Sequence, residues 1–188
     1  VGINGARALL TYNRDARLLE RADALLADPA STRLYVVRHG NAGVRSKKKG
    51  SDKKRPLTAR GVEQAASIAD FMARHPVTNI ISSPALRCVQ MVEPLAAMLD
   101  MEVATSKRLN ETATLDEILA YVAKLDGSAS VLATHENWIG PLVQHLDKQG
   151  VHLRGARRWP KASIWVFDVV GGEIRAGYYA GRGSVAPT

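Results

Sequence analysis

The chain has 188 residues, 46% hydrophobic and 23% charged, with a net charge of +8 and a single cysteine. That length and balance exclude a disordered polymer and allow one main globular domain, while one thiol excludes an internal disulfide and a metal cluster built on cysteines. No apolar run approaches the ~20 residues that span a bilayer and no signal-peptide pattern opens the chain, so the expectation is a cytoplasmic protein with an anionic partner.

Residues 6–27 are rich in Ala, Leu and Arg, and Leu18, Leu19, Ala22 and Leu25 form a helical apolar stripe. Asp28-Pro29-Ala30-Ser31 breaks that pattern. Residues 1–31 are therefore expected to form a helical segment with a linker, and residues 32–188 the main domain. The chain opens on Val rather than Met, which suggests a trimmed product or a piece of something longer.

Leu34-Tyr35-Val36-Val37 predicts a buried strand, and Gly40 ends it in a turn, leaving Arg38 and His39 at its carboxyl end. Next comes RSKKKGSDKKR, from Arg45 to Arg55, with seven basic residues and one acid. This stretch is either a solvated loop or an electropositive rim that draws a phosphorylated ligand. It contains no aromatic residue for base stacking, which disfavours nucleic acid.

Thr58 is placed to cap a helix running to about His75, with Val62, Ala65, Ala69 and Met72 on its inner face. Residues 78–82 (TNIIS) predict a strand. Ser83-Pro84 then predicts a helix start, with Ser as cap, running to about Leu99. Residues 101–104 suggest a brief strand, and Thr114-Leu115-Asp116-Glu117 a capping box whose helix ends near Gly127. Residues 130–134 (SVLAT) predict a buried strand, with His135 at its end and a helix following through Trp138, Leu142, Val143 and Leu146. Residues 163–169 and 173–179 alternate around Gly171-Gly172 and predict a hairpin at the sheet edge. Strands alternating with helices indicate an α/β domain with a largely parallel central sheet.

Arg38, His39, Arg87 and His135 all fall just beyond strand ends, which parallel pairing brings to one edge. A guanidinium grips phosphate oxygens in a fixed fork, and an imidazole can attack phosphorus. Two of each make a receptor for a phosphoryl group that carries its own nucleophile. Metal binding is less attractive, because no His/Cys/Asp cluster stands at ligand spacing. His75, His145 and His152 are read as surface groups, Cys88 as a packed thiol, and Trp138, Trp159 and Trp165 as core and hairpin packing.

These residues lie in VVRHG (36–40), RPLTARGVEQA (55–65), SSPALRCVQ (82–90) and ATHENW (133–138), and together the segments resemble the histidine phosphatase, or phosphoglycerate-mutase-like, superfamily. The compact RPLT form resembles the small bacterial phosphohistidine phosphatases. KKKGSDKKRPL and KASIWVFDVVGGEI are closer to the phosphatase half of actinobacterial MutT-type proteins, where a Nudix domain precedes it. Residues 6–22 are similar to the last helix of such a Nudix domain, although no Nudix catalytic box is present.

The resemblance implies a three-layer αβα fold with a mostly parallel sheet, and a metal-independent phosphatase needing no cofactor. It implies attack by His39 on a phosphomonoester, such as a nucleotide or other small phosphometabolite, with hydrolysis of the resulting phosphohistidine. Arg38, Arg87 and His135 would hold the equatorial oxygens, and Glu111 would be the proton donor to the leaving group. Asn41 and the basic residues Lys47, Lys48, Lys49, Lys53 and Arg55 are candidate substrate contacts, and a Nudix domain a candidate partner. The sequence departs from the commoner family pattern in having Glu136-Asn137, not glycine, after the second histidine. Two other functions fit the same residues: removal of phosphate from phosphohistidine on a protein, and a non-catalytic phosphate-binding regulatory module.

Overall fold

A computed structural model describes residues 32–44, 51–125 and 127–181. The predicted N-terminal helical segment and Lys47, Lys48 and Lys49 lie outside the described residues. Within them a mixed sheet of seven strands has the order β3-β2-β4-β1-β6-β7-β5. The strands are β1 (Thr32–Arg38), β2 (Asn79–Ser82), β3 (Val103–Thr105), β4 (Ser130–Thr134), β5 (His152–Arg154), β6 (Ile164–Val170) and β7 (Glu173–Gly181). Pairing is parallel from β3 through β2 and β4 to β1, and again between β5 and β7; only β6 pairs antiparallel to both its neighbours.

Strand alternation builds the layers. Tyr35, Val37, Val131 and Ala133 face one side of the sheet, where α1 (Ala59–Met72) and α2 (Leu86–Leu99) cover them with Ala65, Ile68, Met91 and Leu95. Leu34, Val36, Leu132, Trp165 and Phe167 face the other side. There α3 (Leu115–Ala123) contributes Ile118 and Val122, and α4 (Glu136–Lys148) contributes Trp138, Leu142, Val143 and Leu146. Both faces of the parallel half are therefore buried, and its strands read as continuous apolar runs. The result is the three-layer αβα arrangement.

Several elements match the sequence reading residue by residue. Thr58 caps α1 by accepting from the Gly61 amide, and Thr114 and Glu117 form a reciprocal capping box on α3. Gly171 and Gly172 take φ of 60° and 77° in the hairpin turn, conformations that favour glycine. Other details differ. Val62 is 55% exposed, and Ile68 fills the inner face instead, because the buried stripe of α1 runs through Gly61, Ala65, Ile68, Ala69 and Met72. Helix α2 starts at Leu86 with no side-chain cap bond, so Ser83 is not its cap. The hairpin is not the sheet edge: β5, a three-residue strand the periodicity did not predict, pairs outside β7. His75 is half-buried, its ring centroid 5.0 Å from that of Phe71 and 5.5 Å from that of Tyr35.

Candidate active site

Four adjacent parallel strands deliver the site. Arg38 of β1 lies level with Thr134 of β4, so the next residues, His39 and His135, leave the sheet side by side. The His39 amide donates to the Thr134 carbonyl at 3.1 Å, which locks that level. On the far side of β4, the Ser83 amide donates to the Ala133 carbonyl as the chain leaves β2 and turns into α2. Arg87 is the second residue of that helix, at its positive end. Beyond β3 a short 3-10 turn (Lys107–Leu109) carries the chain to Asn110 and Glu111. Position in the sheet, not nearness in sequence, thus assembles the group.

Its centre is the buried guanidinium of Arg87, 2% exposed. Arg87 Nε donates to His39 Nε2 at 3.2 Å, and Nη2 stands 3.3 Å from His135 Nδ1. The two rings meet edge to face with centroids 5.4 Å apart. His39 Nδ1 lies 2.9 Å from the Gly40 carbonyl, which can only accept, so Nδ1 carries the proton and Nε2 the lone pair. By the same reasoning His135 is protonated on Nε2, which reaches the Ser83 hydroxyl at 2.9 Å; that hydroxyl in turn donates to Asn110 Oδ1 at 3.2 Å. Ser83, read from sequence as a cap, instead orients a ring.

Electrostatics favour neutral imidazoles. Burial, with Arg87 and Arg38 nearby, pushes His39 down to about 4, although its bond to the Gly40 carbonyl opposes the shift. Burial and the charge of Arg87 push His135 down to about 3. A neutral ring with its Nε2 lone pair beside a cation is a poised nucleophile. Cys88 is wholly buried behind Arg87, with Sγ 3.6 Å from His135 Nε2, and burial raises its thiol to about 12. It is an inert packing group.

Asp52 was hidden in the basic run as its single acid. A 3-10 turn (Ser51–Lys54) brings its carboxylate to 3.1 Å from Arg87 Nη2 and 2.9 Å from Arg55 Nε, and its carbonyl accepts from Arg87 Nη1 at 2.8 Å. Arg55 also donates to the carbonyls of Ala42 and Gly43, tying the two ends of the basic loop together. A lone acid among seven bases was the only available signal. Glu111 Oε2 lies 3.8 Å from Arg87 Nη2, within the same cluster.

Arg38 is arranged differently. Its Nη2 donates to Glu136 at 2.5 Å and its Nη1 to the Trp159 carbonyl at 2.6 Å, while its buried Nε has no acceptor among the described residues. Glu136 therefore engages Arg38 and not Arg87, and remains 54% exposed. Asn41 serves the loop: its side-chain oxygen accepts from Gly43, and its carbonyl from Thr58. Lys53 is exposed on the 3-10 turn.

The chain is similar to known proteins in sequence and in fold. Residues 34–116 match the family model of the histidine phosphatase superfamily (branch 1). Over 178 residues the chain is 30% identical to an 8-oxo-(d)GTP phosphatase of Mycolicibacterium smegmatis, a match covering 92% of this chain and 54% of that protein. The chain spans about half the length of the first curated relatives it matches. Among solved structures, the fold is shared with the protein histidine phosphatase SixA complexed with tungstate (TM-score 0.62, 22% identity, 79% of this chain and 94% of that one). It is shared as well with a phosphoglycerate mutase of Bacillus anthracis (TM-score 0.61, 16% identity, 82% and 93%). Two histidines and an arginine converge at the carboxyl ends of such a sheet, and the stretch that holds His39 and Arg87 is the one that matches the histidine phosphatase superfamily.

Proposed function

We propose that the chain is a phosphatase that hydrolyses phosphomonoesters through a phosphohistidine on His39. The observation that carries this reading is the state of that ring: Nδ1 is spent on the Gly40 carbonyl, and Nε2 faces the Arg87 guanidinium with its lone pair free of a proton. In the first step Nε2 forms a bond to phosphorus as the bond to the leaving oxygen breaks. That oxygen takes a proton, for which Glu111 is the candidate donor. In the second step water attacks phosphorus, the N–P bond breaks, and inorganic phosphate leaves with the ring restored. Arg87 donates to the equatorial oxygens, whose charge peaks in the transition state, and Arg38 and His135 join it by exchanging their hydrogen bonds to Glu136 and Ser83 for phosphate.

Similarity to a relative named for 8-oxo-(d)GTP supports a nucleotide as substrate. A Nudix-type partner is inferred from the resemblance of residues 6–22. Turnover of a panel of nucleotides, sugar phosphates and a phosphohistidine protein tests the assignment. His39→Ala should lower every activity at least about a thousandfold. Retained turnover in that variant would refute the mechanism, and exclusive turnover of the phosphoprotein would refute the substrate.

A further inference from the structure

A cavity of roughly 660 Å³ opens beside the candidate active site, lined by Arg38, Glu136, Arg157, Arg158, Trp159 and Tyr179 among others. Two of these residues are the immediate chain neighbours of the site histidines, since Arg38 precedes His39 and Glu136 follows His135. The Arg38–Glu136 pair therefore stands on the boundary between the two spaces. Arg38, named above as a phosphate ligand, lines this cavity too.

Its chemistry is specific. Two half-buried aromatic side chains, Trp159 and Tyr179, pack on the core cluster beneath α4 and the hairpin. The indole of Trp159 lies so close to Gly140 that a Cβ there would stand 3.1 Å from the ring, so glycine in α4 lets the ring seat. Arg158 lies over the Tyr179 ring, 5.2 Å from its centroid. Charge is unbalanced towards cation: Glu136 answers Arg38 and Asp147 answers Arg157, but among the described residues no carboxylate pairs with Arg158. Aromatic faces with an adjacent arginine suit a planar ring that bears negative charge nearby.

We propose that this cavity is the leaving-group subsite, and that it extends the reaction from phosphomonoesters to the terminal phosphoanhydride of a nucleoside diphosphate, with the base against Trp159 and Tyr179 and the phosphate of the departing nucleoside monophosphate near Arg158. The proposal rests on the phosphatase reading of His39 and goes further by naming the residues that select the substrate. Arg38 and Glu136 lie within the sequence motifs, whereas Arg158, Trp159 and Tyr179 lie outside them.

The experiment compares GDP with glycerophosphate, a phosphomonoester without a ring, using the full chain and the variants Arg158→Ala and Trp159→Leu. The ratio of kcat/KM for GDP to that for glycerophosphate should fall about tenfold in each variant, mainly through KM for GDP, as expected when a stacked or charge-paired contact to a nucleotide is lost. An unchanged ratio in folded variants overturns the subsite, as does an equal fall for both substrates, which would mean a disturbance passed through Arg38. If the wild type hydrolyses glycerophosphate and not GDP, the subsite is wrong while the phosphatase reading stands. If it hydrolyses neither and never labels His39, the phosphatase reading itself fails. Arg158→Ala is the safer variant, because the backbone carbonyl that Trp165 Nε1 uses at 2.9 Å is retained.

Discussion

Arg87 carries a full charge at 2% exposure, and a buried charge is tolerated only when it is paired and hydrogen-bonded. In this molecule two rings, a carbonyl and the Asp52 carboxylate share that task. Asp52 occupies one of the donors that a phosphoryl oxygen would also seek, and its negative charge opposes a dianion. Asp52→Asn should therefore act in opposite directions on stability and on binding. Stability should drop by about 1–3 kcal/mol, because a charge-assisted bond to a buried group becomes a neutral one. Tungstate or vanadate should bind several-fold more tightly. Urea unfolding with inhibition kinetics on the same variant measures both; weaker oxyanion binding would instead make Asp52 a prop that holds Arg87 in register for phosphate.

At the scale of elements, the order of the parallel strands places each functional residue, and tight joints between loop and helix hold them. Gly61 is one such joint. A Cβ there would lie 2.1 Å from the Asn41 carbonyl oxygen, in the loop that continues from His39, so α1 approaches that loop through bare backbone. Gly61→Ala should cost about 1–3 kcal/mol through forced backbone displacement, and kcat should fall with it because the loop carries the nucleophile. Thermal unfolding and turnover test this together; normal turnover in the variant would show that the joint does not position His39. The sequence made much of this level legible. Apolar runs ending in Arg38-His39 and in His135, with the capping signals at Thr58 and Thr114, located strands and helices because periodicity and capping are local properties. Ser83, Asp52 and Trp159 escaped for the opposite reason. Each acts on a residue distant in sequence, and a serine before a proline, an acid among lysines and an isolated tryptophan look locally like a cap, a solvated loop and packing. The short edge strand β5 has three residues, too few to show a period.

For the whole molecule, two buried neutral imidazoles make folding depend on pH. The unfolded chain takes up protons at these rings near pH 6.5, whereas the folded rings wait until about 4 for His39 and about 3 for His135. Between those limits the unfolded state binds more protons, so stability is complete above pH 6.5 and declines as pH falls, by up to about 1.4 kcal/mol per pH unit for each ring. Urea unfolding from pH 7 to pH 4.5 should show that decline, and His135→Gln should remove one ring's share of the slope; an unaltered slope would mean the ring is not held neutral. The same burial that destabilises the protein in acid keeps the nucleophile unprotonated at neutral pH, so one device serves both stability and chemistry. The most direct measurement of the central claim is to mix the enzyme with substrate labelled on the transferred phosphorus, quench in base, and locate the label by peptide mapping and phosphorus NMR. The account predicts stoichiometric label on His39, attached at Nε2 because Nδ1 is held by the Gly40 carbonyl. Label on another residue or at Nδ1, or steady turnover with no labelled histidine at any time, would contradict it.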